Sequence, residues 1–316
     1  MPELPFTADE YAARLAKTRS AMQARGLEAI FVTDPSNMAW LTGYDGWSFY
    51  VHQGVLLGME GEPVWWGRAM DAAGARRTTW LQPDNIRGYD DSYVQNPDKH
   101  PMDDLSRLIA ACGLDRHRLG LEMDNYYFTA AAYLALQKGL PKAVFEDATG
   151  LVNWQRAVKS PTELTYMRRA ARIVERMHRV VLEKAEVGMR KNDLIADIYH
   201  ASVAGAEGYW GDYPSIVPMA PSGADATAPH LTWDDTPLRL GESTFFEIAG
   251  AHRRYQCPQS RTLFLGKPPQ KFLDAEKAVL EAVEAGLEQA RPGNLCEDIA
   301  KAFNATLNRL GFTKDS

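Results

Sequence analysis

Cysteine is scarce in this chain, with only Cys112, Cys257 and Cys296 among 316 residues. Their spacings match no zinc-binding or redox motif, and so few cysteines exclude a disulfide framework. The chain also lacks a run of about eighteen apolar residues that could cross a membrane. Its first residues, MPELPFTADEY, have neither the basic nor the apolar segment of a secretory signal. We therefore expect a cytoplasmic protein with no membrane partner.

An excess of basic residues is missing as well. The formal net charge is −6, and the basic side chains are dispersed among acidic ones. This pattern argues against a nucleic-acid partner, so we expect a small-molecule ligand. An apolar fraction of 45% supports a large core, and 316 residues are enough for two domains.

The first half of the chain alternates helix and strand patterns. Thr7 and Glu10 form a capping box that predicts the start of a helix, and Gly26 predicts its end. Apolar runs rich in β-branched and aromatic residues predict strands at residues 29–33, 55–57, 64–66, 85–87 and 119–122. This alternation predicts an α/β domain.

A second domain begins near a strong helix start. Ser160 is suited to the N-cap, Pro161 to the first turn, and Glu163 to the third helical position of a capping box. We therefore divide the chain into domains at residues 1–155 and 156–316.

The second domain contains a repeated pattern. Gly188 and Gly293 each follow a long helical pattern, and Asp193 and Asp298 lie five residues after them, where a new helix starts. A turn followed by an N-cap also produces this spacing, so chance remains an alternative. Because only 23 residues follow Gly293, we expect the second copy, and with it the domain, to be incomplete at its C-terminal end.

A strand pair with a candidate carboxylate follows the first copy. Strand alternation places Phe245 and Glu247 on one face and Phe246 and Ile248 on the other. Because burying a lone carboxylate is costly, Glu247 is paired, functional or at an exposed edge.

Residues 218–230 are rich in Pro, Gly and Ala, which predicts a loop that ends at His230. His230 is either a functional residue or a structural histidine. His252, Arg253 and Arg254 lie beside a predicted turn, and we expect them to be solvated.

Together these motifs resemble the creatinase/prolidase, or pita-bread, hydrolases. The motifs are the helix start at Ser160, the Gly188 turn, the loop histidine, and the sequence Ser260-Arg261-Thr262 at the end of the hairpin. Residues 37–43 are similar to the N-terminal domain of that family. The resemblance implies an α/β (α+β) protein with a creatinase-like N-terminal domain followed by a pita-bread domain.

The resemblance also implies the loss of a metal site. Metal-dependent members carry two aspartates on this hairpin, and the matching positions here are Glu247 and Pro258. Because proline offers no ligand, we expect no metal and no other cofactor. Among the metal-free members, the resemblance points to hydrolysis of a cyclic amidine.

In such a reaction His230 would shuttle a proton. Glu247 would hold the amidinium, deprotonate water or attack as a nucleophile. By the same resemblance, residues 47–50 would reach the site of a second subunit, which implies a homodimer and places Phe49 against the substrate. Aromatic residues that could bind a delocalised cation are Trp210, Tyr213, Trp233 and Tyr255.

Three other functions stay open from the residues alone. The first is a metal-dependent Xaa-Pro dipeptidase or aminopeptidase, and the second is creatinase itself. The third is a binding module that retains the fold without catalysis.

Overall fold

The structure is a computed structural model that describes residues 4–314. The chain separates into two compact units, Met1–Thr165 and Tyr166–Ser316. The predicted boundary at residues 155 and 156 stays a prediction. No helix in the described range is long and apolar enough to cross a bilayer.

The first unit is a mixed sheet flanked by helices. Its helices are α1 (Ala8–Ala24), α2 (Pro35–Thr42), α3 (Ala72–Thr78), α4 (Pro101–Ala111), α5 (Ala130–Gly139) and α6 (Leu151–Arg156). Its strands are β1 (Ala29–Val32), β2 (Gly54–Gly58), β3 (Val64–Arg68), β4 (Ile86–Tyr89), β5 (Arg118–Leu121) and β6 (Val144–Asp147). The sheet order is β4-β3-β2-β1-β5-β6. The predicted α/β class is confirmed, while α2 to α6 and β6 had no counterpart among the predicted elements.

Both faces of this sheet are buried. Strand β1 places Ile30 in one apolar cluster and Phe31 in another. On β3, Trp65 and Trp66 divide between the same two clusters, and both are fully buried. Successive strand residues point to opposite faces, so helices on both sides are needed to cover them.

The capping box at Ser160 is confirmed, and the one at Thr7 is only half formed. The Glu163 amide donates to Ser160 Oγ over 3.2 Å, and the Ser160 amide donates to Glu163 Oε2 over 2.7 Å. At α1, the Glu10 amide donates to Thr7 Oγ1, but the Glu10 carboxylate accepts from Arg14 instead of turning back to the N-cap.

The second unit packs helices against a two-stranded hairpin. Its elements are α7 (Pro161–Lys184, which begins in the first unit), α8 (Lys191–Ala204), β7 (Ser243–His252), β8 (Tyr255–Phe264), α9 (Gln270–Gln289) and α10 (Cys296–Arg309). Gly250 of β7 allows a close approach to α7, because a Cβ there would lie 2.3 Å from the Ala170 carbonyl oxygen.

The repeat is visible in the backbone. Gly188 and Gly293 have φ angles of 91° and 96°, values that L side chains rarely adopt. Asp193 and Asp298 lie in the first turns of α8 and α10, and neither is the N-cap. The two helices therefore begin two residues before the aspartates that predicted their starts.

Candidate active site

In its first half, strand β7 has one buried face and one open face, and from Ile248 to His252 both of its faces are buried. Phe246 and Ile248 are 1% and 0% exposed and belong to the core of the second unit. Phe245 and Glu247 on the other face are only half-buried. The alternation is the predicted one.

Strand β8 completes the open face. Ser260 lies directly across from Glu247, and Pro258 lies across from Ala249. Ser260 and Pro258 are exposed, and with Phe245 and Glu247 they form the surface that we call the open face. Within residues 4–314 the Glu247 carboxylate has no hydrogen-bond or ion-pair partner. This carboxylate can therefore receive a ligand or a water molecule.

The loop that carries His230 starts beside Glu247. The backbones of Met219 and Glu247 exchange two hydrogen bonds, of 3.0 and 3.2 Å. One residue further on, the Ala220 amide donates to the Thr232 carbonyl oxygen over 2.8 Å and closes the neck of the loop. His230 therefore lies in a closed loop anchored to the edge of β7.

His230 itself is exposed and has a strained backbone. Its φ angle is 68°, in the left-handed region that non-glycine residues adopt only at a cost in free energy. In the described part of the chain, its side chain makes no hydrogen bond or ion pair. This exposure disfavours the structural alternative, in which the ring would be held by buried partners.

The described residues do not fit a metal centre at this hairpin. Between residues 4 and 314, no three His, Cys, Asp or Glu side chains come together in an arrangement that could hold a metal ion. Pro258, across the open face from Ala249, has no donor atom to offer.

The hairpin turn holds a second group of polar and aromatic residues around His252. We expected His252 to be solvated, and this was wrong, because the residue is 2% exposed. His252 Nδ1 lies 2.9 Å from the Trp210 carbonyl oxygen, and Nε2 lies 3.3 Å from Arg169 Nη1. Since a carbonyl accepts and a guanidinium donates, the ring is neutral with its proton on Nδ1. Burial, and secondarily the nearby Arg169, lowers the pKa of His252.

Three of the predicted binding residues belong to this turn. The Trp210 ring centroid is 5.6 Å from that of His252, the Arg254 guanidinium lies 3.9 Å from the Tyr213 centroid, and Tyr255 packs on another tyrosine ring. The turn is about 17 Å along β7 from Glu247, at the usual rise per strand residue. The structure thus gathers Trp210, Tyr213 and Tyr255 together, but at a distance from the open face.

The remaining two candidates lie elsewhere. Trp233 packs against the core of the second unit, with its ring 6.1 Å from Tyr199. Phe49 belongs to the first unit, where it contacts Trp47 at 5.1 Å and Tyr127 at 6.0 Å.

Sequence reasoning missed Asp212, which orders the hairpin turn. Asp212 is 6% exposed and accepts from the Arg254 amide over 3.1 Å and from its guanidinium over 3.3 Å. These partners are 42 positions apart in the chain. No local pattern could have identified the contact.

Comparison with known proteins accounts for both units. Residues 14–158 match the creatinase/prolidase N-terminal domain, and residues 165–316 match metallopeptidase family M24. The chain is 57% identical to the ectoine hydrolase of Halomonas elongata over 317 aligned positions, which cover 98% of this chain and 79% of that protein. The chain belongs to the creatinase/prolidase family. The predicted resemblance within the family was to ectoine hydrolase, and this identity confirms it.

Other relatives support the same family and fold. An uncharacterized hydrolase/peptidase of Sinorhizobium fredii, y4tM, is 38% identical over 99% of this chain and 80% of its own length. The solved prolidase of Thermococcus sibiricus superposes with a TM-score of 0.81 at 18% identity, covering 95% of this chain and 78% of that one. Dipeptidase PepE of Mycobacterium ulcerans superposes with a TM-score of 0.78 at 21% identity, covering 97% of this chain and 78% of that one. At these identities the two structures support the fold alone, and they confirm the pita-bread prediction.

Proposed function

We propose that this protein is a hydrolase that opens the cyclic amidine ring of ectoine to N-acetyl-2,4-diaminobutyrate without a metal ion. The observation that carries the proposal is the 57% identity to an ectoine hydrolase over 98% of the chain. The open face adds a carboxylate without a protein partner, in a hairpin whose second ligand position is occupied by Pro258.

The reaction adds one water molecule across the amidine. The ring carbon between the two nitrogens is electrophilic when the amidine is protonated. Water oxygen bonds to this carbon, and one of the two ring carbon–nitrogen bonds then breaks. The nitrogen that leaves takes up a proton and becomes an amine, while the carbon becomes that of an acetamide.

Glu247 and His230 are the residues that we propose to carry out this chemistry. Glu247 can hold the amidinium by charge, remove a proton from water, or attack the carbon directly. His230 delivers a proton to the nitrogen that leaves. The carboxylate of Glu247, which has no partner in the described residues, and the exposed, strained His230 support these roles, because strain tends to concentrate at functional sites.

We further propose that the active protein is a homodimer in which an aromatic loop of one copy reaches the open face of the other. Trp47 and Tyr50 are 61% and 63% exposed, and the Trp47 ring packs on both Phe49 and Tyr50. Aromatic faces attract delocalised cations such as an amidinium. Of the proposed aromatic contacts to substrate, Phe49 would reach the open face from the second copy, whereas Trp210, Tyr213, Trp233 and Tyr255 lie away from Glu247 and would have to move toward it.

The test is a substrate comparison by proton NMR with the protein encoded by the whole gene. We expect the methyl signal of ectoine to be replaced by that of an acetamide, and the products also show which ring bond breaks. Release of urea from creatine, or cleavage of an Xaa-Pro dipeptide, with ectoine untouched would overturn the proposal. Turnover of none of the three would favour a binding module.

A further inference from the structure

The internal hydrogen bonds of the loop around His230 belong to one short 3-10 helix, Gly223–Thr227, which ends before His230. Residues 223–229 are Gly, Ala, Asp, Ala, Thr, Ala and Pro, which have small or exposed side chains with little apolar surface to bury. His230 is exposed and holds a left-handed backbone conformation. Such a conformation persists only when surrounding contacts enforce it. The contacts that fix His230 must therefore lie at the ends of the loop.

The N-terminal end is tied to strand β7. Ser222 Oγ and Thr244 Oγ1 share a hydrogen bond of 2.8 Å. The bond between Ala220 and Thr232 closes the neck. These contacts hold the neck of the loop. The chain that follows Thr232 is held first by Trp233, which packs against the core of the second unit, and then by contacts of the next residue.

A buried lysine holds that second end. Lys191 is 4% exposed, although lysine is almost never buried unless it is paired. Its ammonium lies 2.8 Å from Asp234 Oδ1, four residues after His230. The same carboxylate oxygen accepts from the amide and the hydroxyl of Thr236, over 2.9 and 2.6 Å.

The backbone strengthens the same anchor. The Lys191 amide donates to the Thr236 carbonyl oxygen over 3.1 Å. The hydrogen bonds from Lys191 and Thr236 lower the pKa of Asp234 to about 2, so its carboxylate stays charged at any working pH. The first turn of α8 is thus tied to the segment that follows His230 by this ion pair and this backbone bond. The residues just before α8 add an ion pair of 3.7 Å between Arg190 and Asp235 and a bond of 2.9 Å from the Leu238 amide to the Met189 carbonyl oxygen.

An exposed ion pair in the same unit provides a comparison. Lys184 and Asp197 also lie 2.8 Å apart, but their side chains are 49% and 34% exposed. Solvent can replace either partner there. In the second pair the Lys191 side chain is only 5% exposed, whereas that of Asp234 is 48% exposed, so removing Asp234 would leave a shielded cation without its partner. The two pairs therefore differ in the burial of the lysine, and we expect the pair with the buried lysine to constrain its segment more strongly.

We propose that Lys191 is a positioning residue for the reaction. Its buried side chain, acting through Asp234 and Thr236, holds the segment that follows His230 and so fixes where the loop presents that ring. Lys191 does not contact the reacting atoms. The inference rests on the proposed function of His230.

The test compares Lys191→Met with Lys191→Arg and with the control Lys184→Met. Because a displacement of about 1 Å can cost up to about 100-fold in rate, we expect Lys191→Met to lower kcat by about 10- to 100-fold. KM should change far less than kcat, since Lys191 does not bind substrate. Lys191→Arg should restore most of kcat, and Lys184→Met should behave as the unmodified protein.

Hydrogen exchange of the amides in residues 222–232 provides a second readout that does not depend on turnover. We expect faster exchange there in Lys191→Met, with the first unit unchanged. If ectoine is not a substrate of the unmodified protein, the proposed function fails while this readout still tests the anchor. If Lys191→Met does not fold, the same two measurements are made on Thr236→Val. That variant removes the hydroxyl hydrogen bond to Asp234 but no charge. Unchanged kcat and unchanged exchange in the folded variant would overturn the proposal.

Discussion

Two carboxylates, one in each unit, have opposite surroundings. Glu122 in the first unit is 3% exposed and accepts from the amides of Thr33 and Asp34 and from the Asn37 side chain, over 2.7, 2.8 and 2.6 Å. Glu247 in the second unit is half-buried and has no such partner in the described range. A carboxylate whose oxygens accept hydrogen bonds from the protein supports the fold, whereas a carboxylate without such bonds is available for chemistry.

Backbone strain follows the same division. The described non-glycine residues with positive φ are Gln95, Glu207, His230, Arg253 and Arg254. Only Gln95 belongs to the first unit. The other four lie in the second unit, where strained backbone therefore accompanies the carboxylate that has no protein partner.

The largest expected effect is on activity in the second unit. Glu247→Gln keeps the shape of the side chain and removes its charge, so we expect kcat for ectoine to fall about 1,000-fold, equivalent to about 4 kcal/mol. The melting temperature should hardly change, because Glu247 has no protein partner to lose. Glu183→Gln, at an exposed position on α7, is the control and should leave kcat unchanged. A large fall in the melting temperature of Glu247→Gln together with normal activity would contradict the contrast drawn between Glu247 and Glu122.

The next effect is on stability in the first unit. Arg14 is 3% exposed and pairs with Glu10 over 2.8 Å and with Glu163 over 3.6 Å. Arg14→Met leaves buried carboxylates without their cation, so we expect the free energy of unfolding to fall by about 3 kcal/mol. Urea denaturation measures this change in the free energy of unfolding.

The exposed pair Arg172–Glu175 supplies the matched control. Arg172→Met should cost at most about 0.5 kcal/mol. Equal losses in the two variants would contradict the assignment of stability to the buried network.

A pH effect of intermediate size is expected at His52. Burial first, and then the neighbouring His100, lowers the pKa of His52 to about 4. The His52 and His100 rings are 4.7 Å apart, and Asp103 is the carboxylate facing His100. The unfolded chain binds the His52 proton first as pH falls, so its contribution to stability is complete above about pH 6.5 and is lost toward pH 4.

The measurement compares urea unfolding of the unmodified protein and His52→Gln across that window. One proton changes the slope by at most about 1.4 kcal/mol per pH unit. We expect the unmodified protein to lose stability more steeply on acidification than His52→Gln. Parallel curves would show that His52 is not buried as a neutral ring.

The smallest effect compares the two copies of the repeat. Gly188→Ala and Gly293→Ala place a side chain at φ angles of 91° and 96°, with no atom within 4 Å of the new Cβ in either case. We expect each to cost about 1 kcal/mol through backbone strain alone. Gly74→Ala, inside helix α3 and equally open, should instead stabilise by up to about 1 kcal/mol. A loss of stability in Gly74→Ala would show that free space and the φ angle do not explain the different effects of alanine at these three glycines.

Local signals explain what could be predicted from the sequence. The Ser160 capping box, strands β2 and β3 and the alternation around Glu247 depend on residues close together in the chain, and all of these predictions are confirmed. Burial of His252 and the pair between Lys191 and Asp234 depend on partners about 40 positions away. Propensity and periodicity carry no information about such contacts, so these parts of the site needed the structure.

The central claim is that this hairpin supports hydrolysis without a metal ion. The most direct measurement is the rate of ectoine ring opening and the metal content of one and the same purified sample, before and after treatment with a chelator. The account predicts an unchanged rate in a sample that holds far fewer ions than chains. A rate that disappears with the metal and returns with added manganese, zinc or cobalt would contradict it.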